Sequence, residues 1–103
     1  MARKSRSLKQ ASSCAAKLKV LADPTRLAVL EALMEGPKHV GALVQLLEVE
    51  QSLLSHHLQT LREAGLVEAE RDGKAVLYRL TPGVTARTSG SAIDLGCCLL
   101  SFD

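Results

Sequence analysis

Apolar residues recur every three or four positions through the first two thirds of this chain, and that spacing predicts helices. Leu8–Leu21 reads as a first helix, with Ala11, Ala15, Leu18 and Leu21 along one face. Asp23-Pro24 marks a second start, with Asp23 as N-cap and Pro24 at the first helical position. Leu27, Leu30, Leu33 and Met34 then repeat at helical spacing, as core positions, until Gly36-Pro37 ends the segment. Val40, Leu43, Val44 and Leu47 fit a short third helix, and Glu48-Val49-Glu50 is a tight connection to a fourth that Gly65 stops. The period then changes from helical to alternating. Val67–Glu70 and Ala75–Leu80 flank Arg71-Asp72-Gly73-Lys74, and Asp-Gly is a strong two-residue hairpin turn signal. Pairing across that turn sets Arg71 against Lys74, Ala69 against Val76 and Val67 against Tyr78. In the tail, Ile93, Leu95, Cys97 and Leu99 alternate with Asp94, Gly96 and Cys98, so Ile93–Phe102 reads as a strand or an irregular segment rather than a last helix.

The fourth helix separates into two unlike halves. Leu54, Leu58 and Leu61 share one stripe, flanked by Leu53, His57 and Ala64. Ser52, Ser55, Gln59 and Arg62 share the opposite stripe, with Gln51 opening the helix and His56 and Glu63 at the edge. A merely solubilising face is usually rich in Lys and Glu. This one carries hydroxyl, amide, imidazole and guanidinium groups, the types that hydrogen-bond base edges and phosphates. Two short helices joined by three residues suit a helix-turn-helix, whose second helix reads the major groove. A hairpin with a basic tip beside it makes a winged helix, with Arg71 and Lys74 placed to clamp backbone phosphates. The plainer alternative for those two cations is a solvated tip. His57, on the apolar side, reads as a packed and hydrogen-bonded residue; His56 faces the other way. Arg26, near a helix start, reads as structural before it reads as a phosphate contact.

The whole is a mainly α chain with a small β-hairpin. At 103 residues it has length for one core only. The organisation reads as a basic N-terminal arm over 1–10, a winged helix-turn-helix domain over 11–82 and a tail carrying a cysteine pair over 83–103. Formal net charge is only +2, but residues 1–19 hold six basic groups and no acid, against seven basic and eleven acidic groups in the rest. The case for nucleic acid therefore rests on local placement. No apolar run is long enough to span a membrane, and no apolar stretch follows Arg3, Lys4, Arg6 and Lys9 as a signal peptide would require.

Cys14, Cys97 and Cys98 are the cysteines. In a cytoplasmic DNA-binding protein, thiols are expected to be reduced, which argues against a structural disulfide framework. Adjacent cysteines bridge each other poorly. In a turn, however, both can approach one soft ion, and three thiolates would make a pyramidal site for trivalent arsenic or antimony.

Leu21-Ala22-Asp23-Pro24-Thr25-Arg26-Leu27, then Ser55-His56-His57-Leu58-Gln59-Thr60-Leu61-Arg62-Glu63-Ala64-Gly65-Leu66-Val67, then the Asp-Gly wing, resemble the ArsR/SmtB family. These are bacterial winged-helix repressors that release DNA on binding metals or other thiol-reactive signals. The resemblance covers roughly residues 15–82. It implies a homodimer on a palindromic operator, with the Ser55/His56 helix as reader. Leu53 stands where small polar residues are usual in the family, so no base contact is carried to it. The family's zinc site on a last helix needs His and carboxylate ligands; this tail has no His, and Asp94 and Asp103 are its only acids. The Cys-x-Cys site on the helix before the reader is matched here by His39-Val40-Gly41. Because the first and last elements meet at the family's subunit interface, Cys14 of one protomer could join Cys97 and Cys98 of the other.

The functional expectation is a repressor that contacts double-stranded operator DNA through Gln51, Ser52, Ser55, His56, Gln59, Arg62, Arg71 and Lys74. It carries no permanent cofactor and is released by arsenite, antimonite or another thiophilic metal at Cys14, Cys97 and Cys98. The alternative is a redox or reactive-sulfur switch on the same cysteines, with Cys97 or Cys98 crosslinked to Cys14. A third possibility is an enzyme using a Cys–His pair. It lacks any nucleophile elbow, phosphate loop or convergent acid/base set, and an enzyme is not expected.

Overall fold

Asp23 starts its helix as the sequence signal requires: in extended conformation (φ −154°, ψ 127°), its carboxylate accepts from the Arg26 backbone N–H, and Pro24 follows. The structure, a computed structural model, describes residues 8–84 and 92–102, so most of the basic arm and the Thr85–Ser91 segment lie outside the described residues. Among the described residues four helices form in order: α1 (Leu8–Leu21), α2 (Pro24–Leu33), α3 (Val40–Leu47) and α4 (Gln51–Glu63). Five strands accompany them: β1 (Lys38–His39), β2 (Val67–Asp72), β3 (Ala75–Leu80), β4 (Ala92–Asp94) and β5 (Leu99–Ser101).

The core lies where α2, α3 and α4 meet. Val29, Leu30, Leu43, Leu54, Leu58 and Leu61 are fully buried there. Each buried leucine contributes about 1.5–3 kcal/mol of transfer free energy. The predicted three-residue connection between α3 and α4 is present, and Glu48 supplies its bend by taking a left-handed conformation (φ 54°, ψ 46°) while its N–H caps Val44. A non-glycine residue there costs about 1–2 kcal/mol in backbone strain. The packing of α3 and α4 against α2 offsets that cost and fixes the helix-turn-helix.

The wing differs from expectation in register. Asp72 pairs with Ala75, Arg71 with Val76, Ala69 with Tyr78 and Val67 with Leu80. The two-residue loop is therefore Gly73-Lys74, not Asp72-Gly73. Gly73 alone in that loop has positive φ (65°), which fits a turn with glycine at its first central position rather than one needing two left-handed residues. Partners shift by two, so each side chain keeps the face the sequence assigned it. A two-residue strand that the sequence pattern did not reveal, β1, pairs antiparallel with β3 through Lys38↔Tyr78 and His39↔Leu77, giving the order β1-β3-β2.

One further expectation is corrected and another refined. On α1, Ala11, Ala15 and Leu18 are exposed, and the side turned inward carries Cys14, Lys17, Val20 and Leu21. Only Leu21 of the expected stripe reaches the core, because α1 lies across the domain by its C-terminal half. The tail is strand-like rather than a last helix, as the alternation implied, but it forms two strands and not one. It folds back as the antiparallel pair β4–β5, with Ile93 buried and the reversal at Leu95–Cys98, where Gly96 takes φ 85° and the Leu95 N–H bonds the Cys98 carbonyl at 2.9 Å. Alternation from Ile93 to Leu99 is legible in the sequence, but the positive φ at Gly96 breaks it. Among the described residues no helix is long and apolar enough to cross a membrane.

Candidate nucleic-acid interface and thiol cluster

On α4 the two predicted halves separate by burial. Leu54, His57, Leu58 and Leu61 are buried, whereas Gln51, Ser52, Ser55, His56, Gln59 and Arg62 are exposed along the opposite side. Leu53 is 48% exposed at the boundary. Some of the polar groups are already engaged. Gln59 donates to Glu63 at 3.0 Å, and the Ser52 hydroxyl donates to Glu50. An acceptor that takes the Ser52 hydroxyl proton must displace Glu50, whereas the Gln59 amide keeps a second N–H beside the one given to Glu63.

The wing tip stands next to the start of this helix. Gln51 and Lys74 line one shallow groove of about 300 Å³ together with His39, Val40, Gly41, Ala75 and Val76. Arg71 and Lys74 are exposed, and neither forms an ion pair among the described residues. Two side-chain pairs brace the hairpin. His39 Nε2 lies 2.8 Å from the Asp72 carboxylate, and Arg79 pairs across the strands with Glu70. His39 is a contributor that sequence reasoning missed, because its role depends on β1 joining the sheet.

Behind the reading face sits a polar joint. Arg26 Nε donates to His57 Nδ1 at 3.0 Å, and its Nη1 donates to the Val20 carbonyl at 3.1 Å. That leaves the His57 proton on Nε2, which lies 3.9 Å from Asp23 Oδ1. The same oxygen accepts the Arg26 backbone N–H at 3.0 Å. This backbone bond, aided by a second from the Thr25 N–H and by the Arg26 charge and opposed by desolvation, holds the Asp23 carboxyl below its ordinary value. The structural reading of Arg26 and the packed reading of His57 both hold. Together they tie the end of α1, the start of α2 and the middle of α4.

The three cysteines meet beside the middle of α1, at Cys14. Their sulfur atoms all lie within 4.8 Å of one another in one protomer, so no second chain is needed to assemble them. This corrects the expectation of a site divided between subunits. It also corrects the expectation of wholly reduced thiols: Cys14 and Cys97 are joined as a disulfide, their Cα atoms 5.9 Å apart, within the span such bridges require. Cys98 is the free cysteine, partly exposed, with its sulfur 3.9 Å from that of Cys97. Lys17, one turn beyond Cys14, donates to the Leu95 carbonyl at 2.9 Å and so fastens α1 to the tail turn independently of sulfur.

The winged helix-turn-helix fold has counterparts among known proteins. The family model for bacterial regulatory proteins of the arsR family matches residues 23–69. The biofilm growth-associated repressor of Xylella fastidiosa is 38% identical over 89 residues, 86% of this chain and 78% of that protein. This chain belongs to the ArsR family. Among solved ArsR-like structures, reduced HlyU from Vibrio cholerae is 36% identical with a TM-score of 0.69, covering 73% of this chain and 79% of that one. A homodimeric winged helix-turn-helix DNA-binding domain from Mycobacterium bovis is 34% identical with a TM-score of 0.65, over 78% and 75% of the two chains. ArsR-family membership makes the chain a DNA-binding transcription regulator of the repressor class, not an enzyme.

Proposed function

We propose that this ArsR-family protein is a cytoplasmic homodimeric repressor that holds a palindromic operator and lets it go when a thiol-binding inducer occupies Cys14, Cys97 and Cys98. The observation that carries the DNA half of this reading is the division of α4: Gln51, Ser52, Ser55, His56, Gln59 and Arg62 all face outward while Leu54, His57, Leu58 and Leu61 anchor the helix. Arg71 and Lys74 on the wing add phosphate contacts beside Gln51. The exposed Leu8, Ala11, Ala15 and Leu18 of α1 offer a second copy an apolar stripe, and the Mycobacterium bovis relative is described as homodimeric.

For the inducer, the geometry supports trivalent arsenic or antimony. Once the bridge is reduced, three sulfurs within 4.8 Å supply the donor number and softness of a pyramidal trithiolate site. Such ligation would tie α1 to the tail turn, at a coupling of about 1–3 kcal/mol, roughly 5–150-fold in operator affinity. The Cys14–Cys97 bridge favours a second reading, in which oxidation itself is the signal. The Vibrio cholerae relative is described in a named redox state, which fits that reading.

The test is a fluorescence-anisotropy titration of the protein on operator DNA. It is run on reduced protein with arsenite, antimonite, cadmium, zinc and a persulfide, then on oxidised protein without inducer, and repeated with each cysteine changed to serine. Release by arsenite that needs all three cysteines supports the first reading. Release by oxidation alone, surviving C98S, supports the second. Binding unaffected by Arg62→Ala removes the reading face itself.

A further inference from the structure

We infer that Cys98 is the internal nucleophile of the sulfur cluster and passes the partnership of Cys14 from Cys97 to itself by thiol–disulfide exchange. Three observations bring the reactants together, and the in-line approach to Cys14 Sγ is completed by movement of the tail turn. Cys98 is the free cysteine, and its sulfur lies 3.9 Å from the Cys97 end of the bridge and within 4.8 Å of the Cys14 end. Both tail cysteines sit in the reversal between β4 and β5, where the chain bends and the backbone is held by the Leu95 N–H on the Cys98 carbonyl and the Gly96 N–H on the Asp94 carboxylate. Lys17 fastens α1 to the same turn through the Leu95 carbonyl, so Cys14 stays beside both thiols when the bridge opens.

The step balances without an outside oxidant or reductant. The Cys98 thiol gives up its proton and its thiolate attacks Cys14 Sγ. The Cys14–Cys98 bond forms, the Cys14–Cys97 bond breaks, and Cys97 leaves as a thiolate that takes up a proton. One disulfide and one thiol stand on each side. Attack on the nearer Cys97 Sγ would instead close an eight-membered ring between adjacent residues, which strains the peptide joining them. Attack at Cys14 avoids that ring and keeps α1 linked to the tail. Exchange runs through the thiolate, so its rate rises with pH. The consequence is that oxidation does not commit the cluster to one bridge, and a free thiol stands beside the disulfide whichever tail cysteine is bonded.

The inference deepens the reading of this cluster as the signal site, but its test needs no DNA, so a failed operator titration and a failed exchange are separate results. Bridged full-length protein is incubated in mildly alkaline buffer, quenched with acid and labelled at its free thiol with N-ethylmaleimide. Fragment-ion mass spectrometry then locates the label on Cys14, Cys97 or Cys98. The two long-range bridges are similar in kind, and even a tenfold bias is only about 1.4 kcal/mol. Label on Cys97 should therefore reach on the order of a tenth or more of that on Cys98. Oxidised C97S should carry a Cys14–Cys98 bridge and no free thiol. Label confined to Cys98, label appearing on Cys14, or C97S left with two free thiols would each overturn the inference.

Discussion

Arg26 donates its Nε–H to Nδ1 of His57 at 3.0 Å, and this bond joins the start of α2 to the buried side of the reading helix. His57 is 8% exposed, so water does not replace a lost partner there. Arg26→Ala should lower stability by about 1–3 kcal/mol in urea unfolding, the cost of leaving a buried acceptor unpaired. Arg26→Lys should recover little, because an ammonium cannot serve Nδ1 and the Val20 carbonyl with one planar fork. Operator affinity should fall in parallel in both variants. Full recovery in the lysine variant would show that charge alone matters.

Asp23 sets a pH dependence of known sign. Its folded pKa is lowered, chiefly by the Arg26 backbone N–H, so its contribution is complete above the unfolded value and is lost as pH falls through the folded one. Asp23→Ala should cost about 0.5–2 kcal/mol at neutral pH, as loss of an N-cap does. Thermal melts of wild type and variant should converge in acid. A gap that persists there would assign the cost to packing instead.

Reader and wing should fail differently. Ser55→Ala and Arg62→Ala are expected to reduce operator affinity with a loss of about 1–3 kcal/mol wherever a base contact is removed. Lys74→Ala should weaken binding to all sequences alike and reduce the salt slope by about one. Anisotropy titrations over a salt series, on operator and on random duplex, separate the two. A changed sequence preference in Lys74→Ala would refute the wing assignment.

Gly73 turns the wing at φ 65° with open space around its Cα. Gly73→Val should therefore fail through backbone strain and not through a clash, at about 1–3 kcal/mol. The melting temperature would register the strain, while the salt slope should drop toward that of Lys74→Ala as the tip loses its form.

Metalloid and oxidation should compete for the same atoms. Arsenite should bind reduced protein, release protons and bind more weakly as pH falls, and it should not bind protein carrying the Cys14–Cys97 bridge. Calorimetry of both redox forms measures this. Under oxidising conditions C14S should be less stable than wild type by about 2–4 kcal/mol, and under reductant the difference should vanish. The bridge spans a sequence separation of 83 residues, which is why its loss should be felt globally.

Much of this was legible in the chain because local signals agreed with tertiary need. Asp23-Pro24 start a helix by their own chemistry, and the two faces of α4 differ in composition enough to fix its orientation. What escaped depends on contacts far apart in sequence. Lys38 and His39 are strand only because β3 offers them a partner. The wing register turns on whether one or two residues take positive φ, a choice the letters Asp-Gly-Lys do not settle. Ala11, Ala15 and Leu18 have a helical period, but period alone does not say whether that side meets this chain or another. The cysteines were suspects from their softness, yet their union within one protomer required the tail to double back.

The sulfur joint sits on the inward side of α1, while the helix turns its apolar outward side away from the rest of the molecule. On the proposed reading, a chemical event at Cys14 would tilt or steady the very strut on which two copies lean, through an element that carries neither Arg62 nor Lys74. Under that reading signal detection and base recognition would diverge independently: a descendant could change its stimulus by altering two or three sulfurs without touching a single group proposed to meet the duplex.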